Sequence, residues 1–276
     1  MNLMVYVGRH DLSNDNEIFE SIAIEKKRIH PRYDPILLDY DYMLLKLEHE
    51  PTIPYSIVQI DDGSYSSKYK SGKSLRTMGW GSTVTTNDSS SSDVLLEVDL
   101  GFITEDECND ELSVNELGNI TTRMICAQDF AFMKTKAACS GDSGGPLLDI
   151  SPKTNDLEGN NPVLVGIMSW SGEVCMEDAP DVFARVSDQY EWIQKYISKW
   201  YEIEIIVDEI LEEENLEIDG FDDDNTTLGD DDFNSIGFND DTVLDDFVDD
   251  DIISSAMILD VNLFFVLSSI LCLFLT

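Results

Sequence analysis

Short apolar runs broken by turn-forming residues fill the first 190 positions. Asn2–Val7, Ser21–Ile24, Tyr42–Leu47, Leu95–Leu100, Pro162–Trp170 and Asp181–Val186 lie between clusters of Gly, Pro, Asn, Asp and Ser. That rhythm predicts an all-β barrel or sandwich. Thr83–Ser92 (TVTTNDSSSS) predicts an exposed loop. From Ser187 the period changes. Tyr190, Ile193, Ile197 and Trp200 recur at helical spacing behind a capping serine, which predicts one helix closing the β domain. Beyond Tyr201 the apolar positions are scattered among acids. Glu202–Glu217 can extend the helix, and Asp219–Asp251, rich in Asp, Asn and Gly, predicts a disordered, self-repelling stretch. No internal repeat interrupts this order.

Charge sharpens the division. Residues 201–276 hold 23 of the 56 acidic side chains and none of the 17 basic ones, which leaves the first 200 at a net −16. Phosphate contacts need clustered Lys and Arg, so nucleic acid is excluded as a partner. An anionic membrane surface would repel the acidic portion. A hydrophobic content of 42% suffices for a packed core in the remainder.

Five cysteines occur: Cys108, Cys126, Cys139, Cys175 and Cys272. The last falls in the hydrophobic tail, and the other four allow three pairings. No C-x-x-C and no neighbouring histidine pair suggests a metal site, so disulfides and an oxidising compartment are expected, with no metal and no cofactor. Sequons at Asn87, Asn119 and Asn225 point the same way.

The tail Ala256–Thr276 is 21 residues long, the length of a membrane span, with Asp260 inside it. Its charge-free part, Leu263–Thr276, follows the small residues Ser254, Ser255 and Ala256, as in a signal for a lipid (GPI) anchor. Membrane attachment is therefore expected, by such an anchor or by a single span. The expected organisation is a β domain over 1–201, an acidic stalk over 202–255 and a membrane-directed segment over 256–276.

The chemistry concentrates in Cys139–Pro146, CSGDSGGP. A serine set among glycines can occupy a tight turn whose amides face an incoming carbonyl oxygen. This stretch resembles the nucleophile motif G-D-S-G-G-P of the trypsin/chymotrypsin family of serine proteases, complete over six residues. Asp39–Leu47 (DYDYMLLKL) resembles that family's strand-borne acid, Met78–Gly81 (MGWG) its domain-joining segment, and Ser169–Trp170 its substrate-pairing edge. The resemblance covers about Met1–Tyr201 and implies a double β-barrel with a C-terminal helix. It makes Ser143 the nucleophile, Asp41 the triad acid ahead of Asp39, and the amides of Gly141 and Ser143 the oxyanion hole. Asp142 becomes the acid that pairs with a new N-terminus on activation. The implied disulfides are Cys108–Cys126 and Cys139–Cys175.

The specificity pocket implied by the resemblance involves Ala137, Ala138, Ser169, Trp170, Ser171 and Asp181. Ala137 stands where an Asp selects Lys or Arg. Asp181, on the facing wall, can still attract a basic side chain or can instead turn away and block the pocket. Ser171 narrows the entrance. Arg9 replaces an acidic ligand in the Gly8–Phe19 loop, which disfavours calcium there.

The family's catalytic histidine sits in A-A-H-C, and no such motif occurs. His10 (VGRHDLS), His30 (IHPRYDP) and His49 lie in other contexts. With no leader-like start either, the expectation is a sequence that begins at an internal methionine, with its first strands, the histidine and the signal peptide lying upstream. The first barrel should then be incomplete. The expected function is a secreted, cell-surface serine endopeptidase, monomeric and acting on polypeptides, with residues 1–276 alone inactive. The alternative is a catalytically dead, protease-like binding module, against which stands the full complement of Ser143, Asp41 and the Ser-Trp edge.

Overall fold

The computed structural model describes residues 3–83, 91–114, 118–131, 135–151, 161–172 and 179–200, and the backbone of 257–259 and 264–267. The acidic stretch 202–255, with its expected disorder and Asn225, lies outside these residues, as do Asn87 and Cys175.

β1 (Met4–Val7), β2 (Glu20–Ile29) and β3 (Met43–Leu47) form an antiparallel ladder. β1 alternates as a half-buried strand should: Val5 and Val7 point inward, while Met4 and Tyr6 face out. With Ile22, Met43, Leu45 and Leu47 they make one apolar cluster. The second sheet contains β4 (Gln59–Ile60), β5 (Ser74–Gly79), β6 (Leu96–Ile103), β7 (Met124–Gln128), β8 (Pro146–Asp149), β9 (Val163–Trp170) and β10 (Asp181–Arg185). Its order is β10-β7-β6-β5-β8-β9-β4, and β10 also pairs with β9, so six strands close into a barrel with β4 added in parallel. Leu75, Leu100, Ile125, Leu147, Val163, Val165 and Phe183 fill it. Burying each such Leu, Ile or Phe side chain contributes roughly 1.5–3 kcal/mol.

Among the described residues two α-helices accompany the sheets. The expected one occupies 190–200 (α2), with Ile193, Ile197 and Trp200 buried, after a 3-10 turn over Val186–Gln189. The other, α1 (Glu105–Val114), carries only two buried side chains, Cys108 and Leu112, too few to show as a periodic stripe. A reciprocal cap starts it. Glu107 takes the Thr104 amide at 2.8 Å, and the Thr104 hydroxyl takes the Glu107 amide at 3.3 Å. The Cys108–Cys126 disulfide then fastens α1 to β7, as the family resemblance implies. Cys139 is also disulfide-bonded.

The first sheet does not return to β1 among the described residues, so the first barrel stays open. Beyond β3 lie two strands from the C-terminal segment. Phe264–Leu267 (β12) pairs antiparallel with β3, and Met257–Leu259 (β11) pairs with β12. The segment expected to reach a membrane thus contributes backbone to an edge whose amides and carbonyls need partners. No helix among the described residues is long and apolar enough to cross a membrane.

Candidate active site

Asp41 stands two residues before β3 and is only 1% exposed. The Ser169 hydroxyl, at the end of β9, donates to its Oδ2 at 2.6 Å. One residue earlier on β9, Met168 holds the serine turn: the Gly144 amide donates to the Met168 carbonyl at 2.8 Å, and the Met168 amide to the Gly145 carbonyl at 2.8 Å. Consecutive residues of one strand therefore grip the buried carboxylate and the turn that carries Ser143. This brings Asp41 and the CSGDSGGP segment, about a hundred residues apart in sequence, into one neighbourhood. Ser169, expected only at the pocket edge, is also the partner of Asp41.

The turn needs its glycines. Gly141 and Gly144 have φ of 96° and 81°, the left-handed region, and a Cβ on Gly141 would lie 3.1 Å from the Gly81 Cα. Ser143 is half-buried between them. Asp142 turns inward, where its Oδ1 takes the Gly81 amide at 2.8 Å and its Oδ2 the Cys139 amide at 2.8 Å. Burial pushes its carboxyl above the usual range, and the two amides only partly offset that. Beside it is a cavity of about 250 Å³ lined by Thr77, Gly79, Gly81, Lys136 and Ala137 among others. The GWG segment is tight here because a Cβ on Gly81 would meet the Asp142 carboxylate at 2.5 Å.

Asp39 is committed elsewhere. Arg123 forks onto both its oxygens at 2.7 and 2.6 Å, and the Thr121 hydroxyl adds a third bond at 3.0 Å. Burial raises its carboxyl, but these partners outweigh burial and hold it below the usual range. Its neighbours Leu38 and Tyr40 adopt φ of 52° and 54°. Such non-glycine residues cost on the order of 1–3 kcal/mol each unless the surroundings hold them. Here the Tyr40 ring is packed by His30, Arg32 and Arg123, and the Tyr42 amide bonds the Tyr40 carbonyl. Tyr42 then ties the acid strand to the second barrel, its hydroxyl lying 2.8 Å from the Arg185 carbonyl and 3.0 Å from that of Arg123. Nothing in the sequence pattern announced the Asp39–Arg123 fork or the Tyr42 bridge, whose members lie more than 80 residues apart.

The remaining expected residues lie on or beside β9, at the start of β10 and in the irregular segment before the serine. Ala138 is buried, and its amide donates to Oδ2 of Asp181 at 2.7 Å, while Ala137 is half-buried. Asp181 is 3% exposed and opens β10, whose Val182 pairs with Trp170. Ser171 bonds the Gly172 carbonyl at 3.4 Å. Asn119 is exposed. Among the described residues, no three His, Cys, Asp or Glu side chains are grouped to hold a metal ion.

Among the described residues the three histidines make other contacts. His10 is exposed, and its carbonyl accepts from the Trp80 indole at 3.1 Å. His30 is buried against Tyr40, Tyr42 and Trp192, where its Nδ1 takes the Arg32 amide. His49 bonds the Glu50 carbonyl.

A serine turn and a buried aspartate held by adjacent residues of one strand of a closed six-stranded barrel agree with what sequence comparison finds. The family model described as Trypsin matches residues 1–193. The chain belongs to the trypsin family. Trypsin 5G1 of Aedes aegypti is 31% identical over 195 residues, which cover 70% of this chain and 65% of that protein. The chain thus spans just under two thirds of this trypsin-family relative, and its fold and serine-protease likeness rest on that shared part.

Proposed function

We propose that the protein is a serine endopeptidase in which Ser143 attacks the peptide carbonyl and Asp41 orients and stabilises the imidazole that takes its proton. The amides of Gly141 and Ser143 receive the developing oxyanion, an acyl-enzyme forms, and water releases it. The observation that carries this reading is the double grip of β9, with Ser169 on Asp41 and Met168 on the Ser143 turn. Activation follows from Asp142, whose buried carboxylate has two amide donors and a neighbouring cavity but calls for a cation, which a newly cut N-terminus supplies. Asp181 is the acid of the substrate pocket and favours a basic side chain in polypeptide substrates.

In this reading the imidazole belongs to a histidine other than His10, His30 and His49. A chain limited to 1–276 turns over no peptide. The test is a fluorophosphonate probe applied to this chain and to the product of the longest transcript reading through Met1. Labelling mapped to Ser143, with peptide hydrolysis, is expected only in the longer form, and only after the cleavage that frees its new N-terminus. A cleaved longer form that carries A-A-H-C yet neither labels nor hydrolyses would leave the binding-module reading instead.

The Cys108–Cys126 disulfide, the Cys139 disulfide and an exposed Asn119 sequon support an extracellular location. Residues 256–276 then serve as the signal for a GPI anchor and are removed when the lipid is attached, with 202–255 as the tether. Expressed on cells, the protease should be released by a phospholipase specific for GPI anchors. Spontaneous appearance of the uncleaved chain in the medium would instead favour the pairing of Phe264–Leu267 with β3 as the resting place of that segment.

A further inference from the structure

The loop between β1 and β2 is organised around one of its own side chains. Gly8, with φ of 88°, turns the chain out of β1, and the segment up to Phe19 contains Asp11, Asp15 and Glu17. Arg9 lies across this loop. Its Nη2 donates to the Leu12 carbonyl at 2.7 Å and its Nη1 to the Asn14 carbonyl at 3.2 Å, and its guanidinium sits 4.3 Å above the Phe19 ring. Glu17 closes the other side by accepting the amides of His10 and Asp11 at 2.9 Å each. Asp11 in turn accepts the amide and hydroxyl of Ser13.

Two carbonyls turned toward one centre, in a loop that also carries three carboxylates, repel one another unless a positive charge lies between them. A hard divalent cation with oxygen ligands or a guanidinium with its forked donors can supply that charge. We propose that Arg9 is the structural cation of this loop, occupying the position a bound metal ion would otherwise have to fill, so that the loop keeps its shape without metal. The carboxyls of Asp11 and Glu17 are held below their usual range, chiefly by their own loop hydrogen bonds, with a smaller contribution from the Arg9 charge.

The consequence reaches the second barrel. The Leu12 amide donates to the Asp93 carbonyl at 2.7 Å, and the Leu95 amide to the His10 carbonyl at 2.7 Å. The Trp80 indole donates to that same carbonyl, one residue before Gly81, whose amide holds Asp142. Arg9 is therefore a positioning residue for the segment that supports the serine turn.

The test uses the whole chain and three forms: wild type, Arg9→Lys and Arg9→Gln. Each is melted in EDTA and in Ca²⁺ at about 5 mM, above the ~10⁻³ M range of weak extracellular calcium modules. Wild type should melt at the same temperature in both. Arg9→Gln should melt about 3–6 °C lower in EDTA, with faster hydrogen exchange at the Leu12 and Leu95 amides, and Arg9→Lys should fall between. Wild type that loses stability in EDTA would make a metal ion the cation of the loop and overturn the proposal. So would an Arg9→Gln form that matches wild type in both melting and exchange.

Discussion

Asp41→Asn, made in a histidine-bearing form of the protease, should lower kcat about 10⁴-fold while leaving the melting temperature nearly unchanged. The change keeps shape and volume, and the Ser169 hydroxyl can still donate to the amide oxygen that replaces Oδ2. What is lost is the negative charge that fixes the imidazole tautomer and stabilises the imidazolium formed as Ser143 attacks. Since these act only as charge develops, KM should change little. Asp39→Asn is the matched control. It weakens the fork with Arg123 and releases the strained Leu38–Tyr40 turn, so it should lower stability more than chemistry. The assignment of Asp41 fails if its variant retains kcat within tenfold of wild type, or if Asp39→Asn is the one that abolishes turnover.

A second large effect concerns acid. His30 is 3% exposed, and burial, followed by the nearby Arg32 charge, lowers its pKa from 6.5 to about 4, against smaller opposing contributions from Gln189, Asp188 and Asp39. The unfolded chain therefore binds a proton at this position before the folded one does. The stability tied to neutral His30 is fully present above about pH 6.5, declines as pH falls toward 4, and levels off below that. At about 1.36 kcal/mol per pKa unit the loss approaches 3 kcal/mol, or roughly 6–12 °C in melting temperature for a domain of this size. Asp142 acts with the opposite sign, because its raised pKa lets the folded state take up a proton first on acidification. The two are separated by comparing wild type with His30→Gln. The difference in unfolding free energy between the two should shift toward the variant by that amount from pH 7 to pH 4. A constant difference across that range would refute the assignment.

Several elements were already legible in the linear pattern because they depend on local rules. The alternation of Met4–Val7, the apolar run of β9 and the helical spacing of Tyr190, Ile193, Ile197 and Trp200 follow from which face each side chain must bury. The serine turn was legible too, since φ near +90° at Gly141 and the closeness of Gly81 leave room for little but glycine. α1 was not foreseen. It faces solvent with acidic residues and buries only Cys108 and Leu112, so its existence depends on a Thr104–Glu107 cap and a disulfide to β7. Composition reports how apolar the C-terminal segment is. It does not report that an open β3 edge lies within reach.

Sequence by itself determined the family, the β architecture and the residues of chemical interest, because spacing and turn chemistry are written along the chain. Tertiary structure alone decided that Asp41 is buried before β3 while Asp39 is locked to Arg123. It alone decided that Ser169 holds Asp41 and that Arg9 supplies the positive charge of its loop. Hydrogen bonds and charge pairing act through space across tens to more than a hundred residues, and no local pattern in the sequence encodes which distant groups will meet.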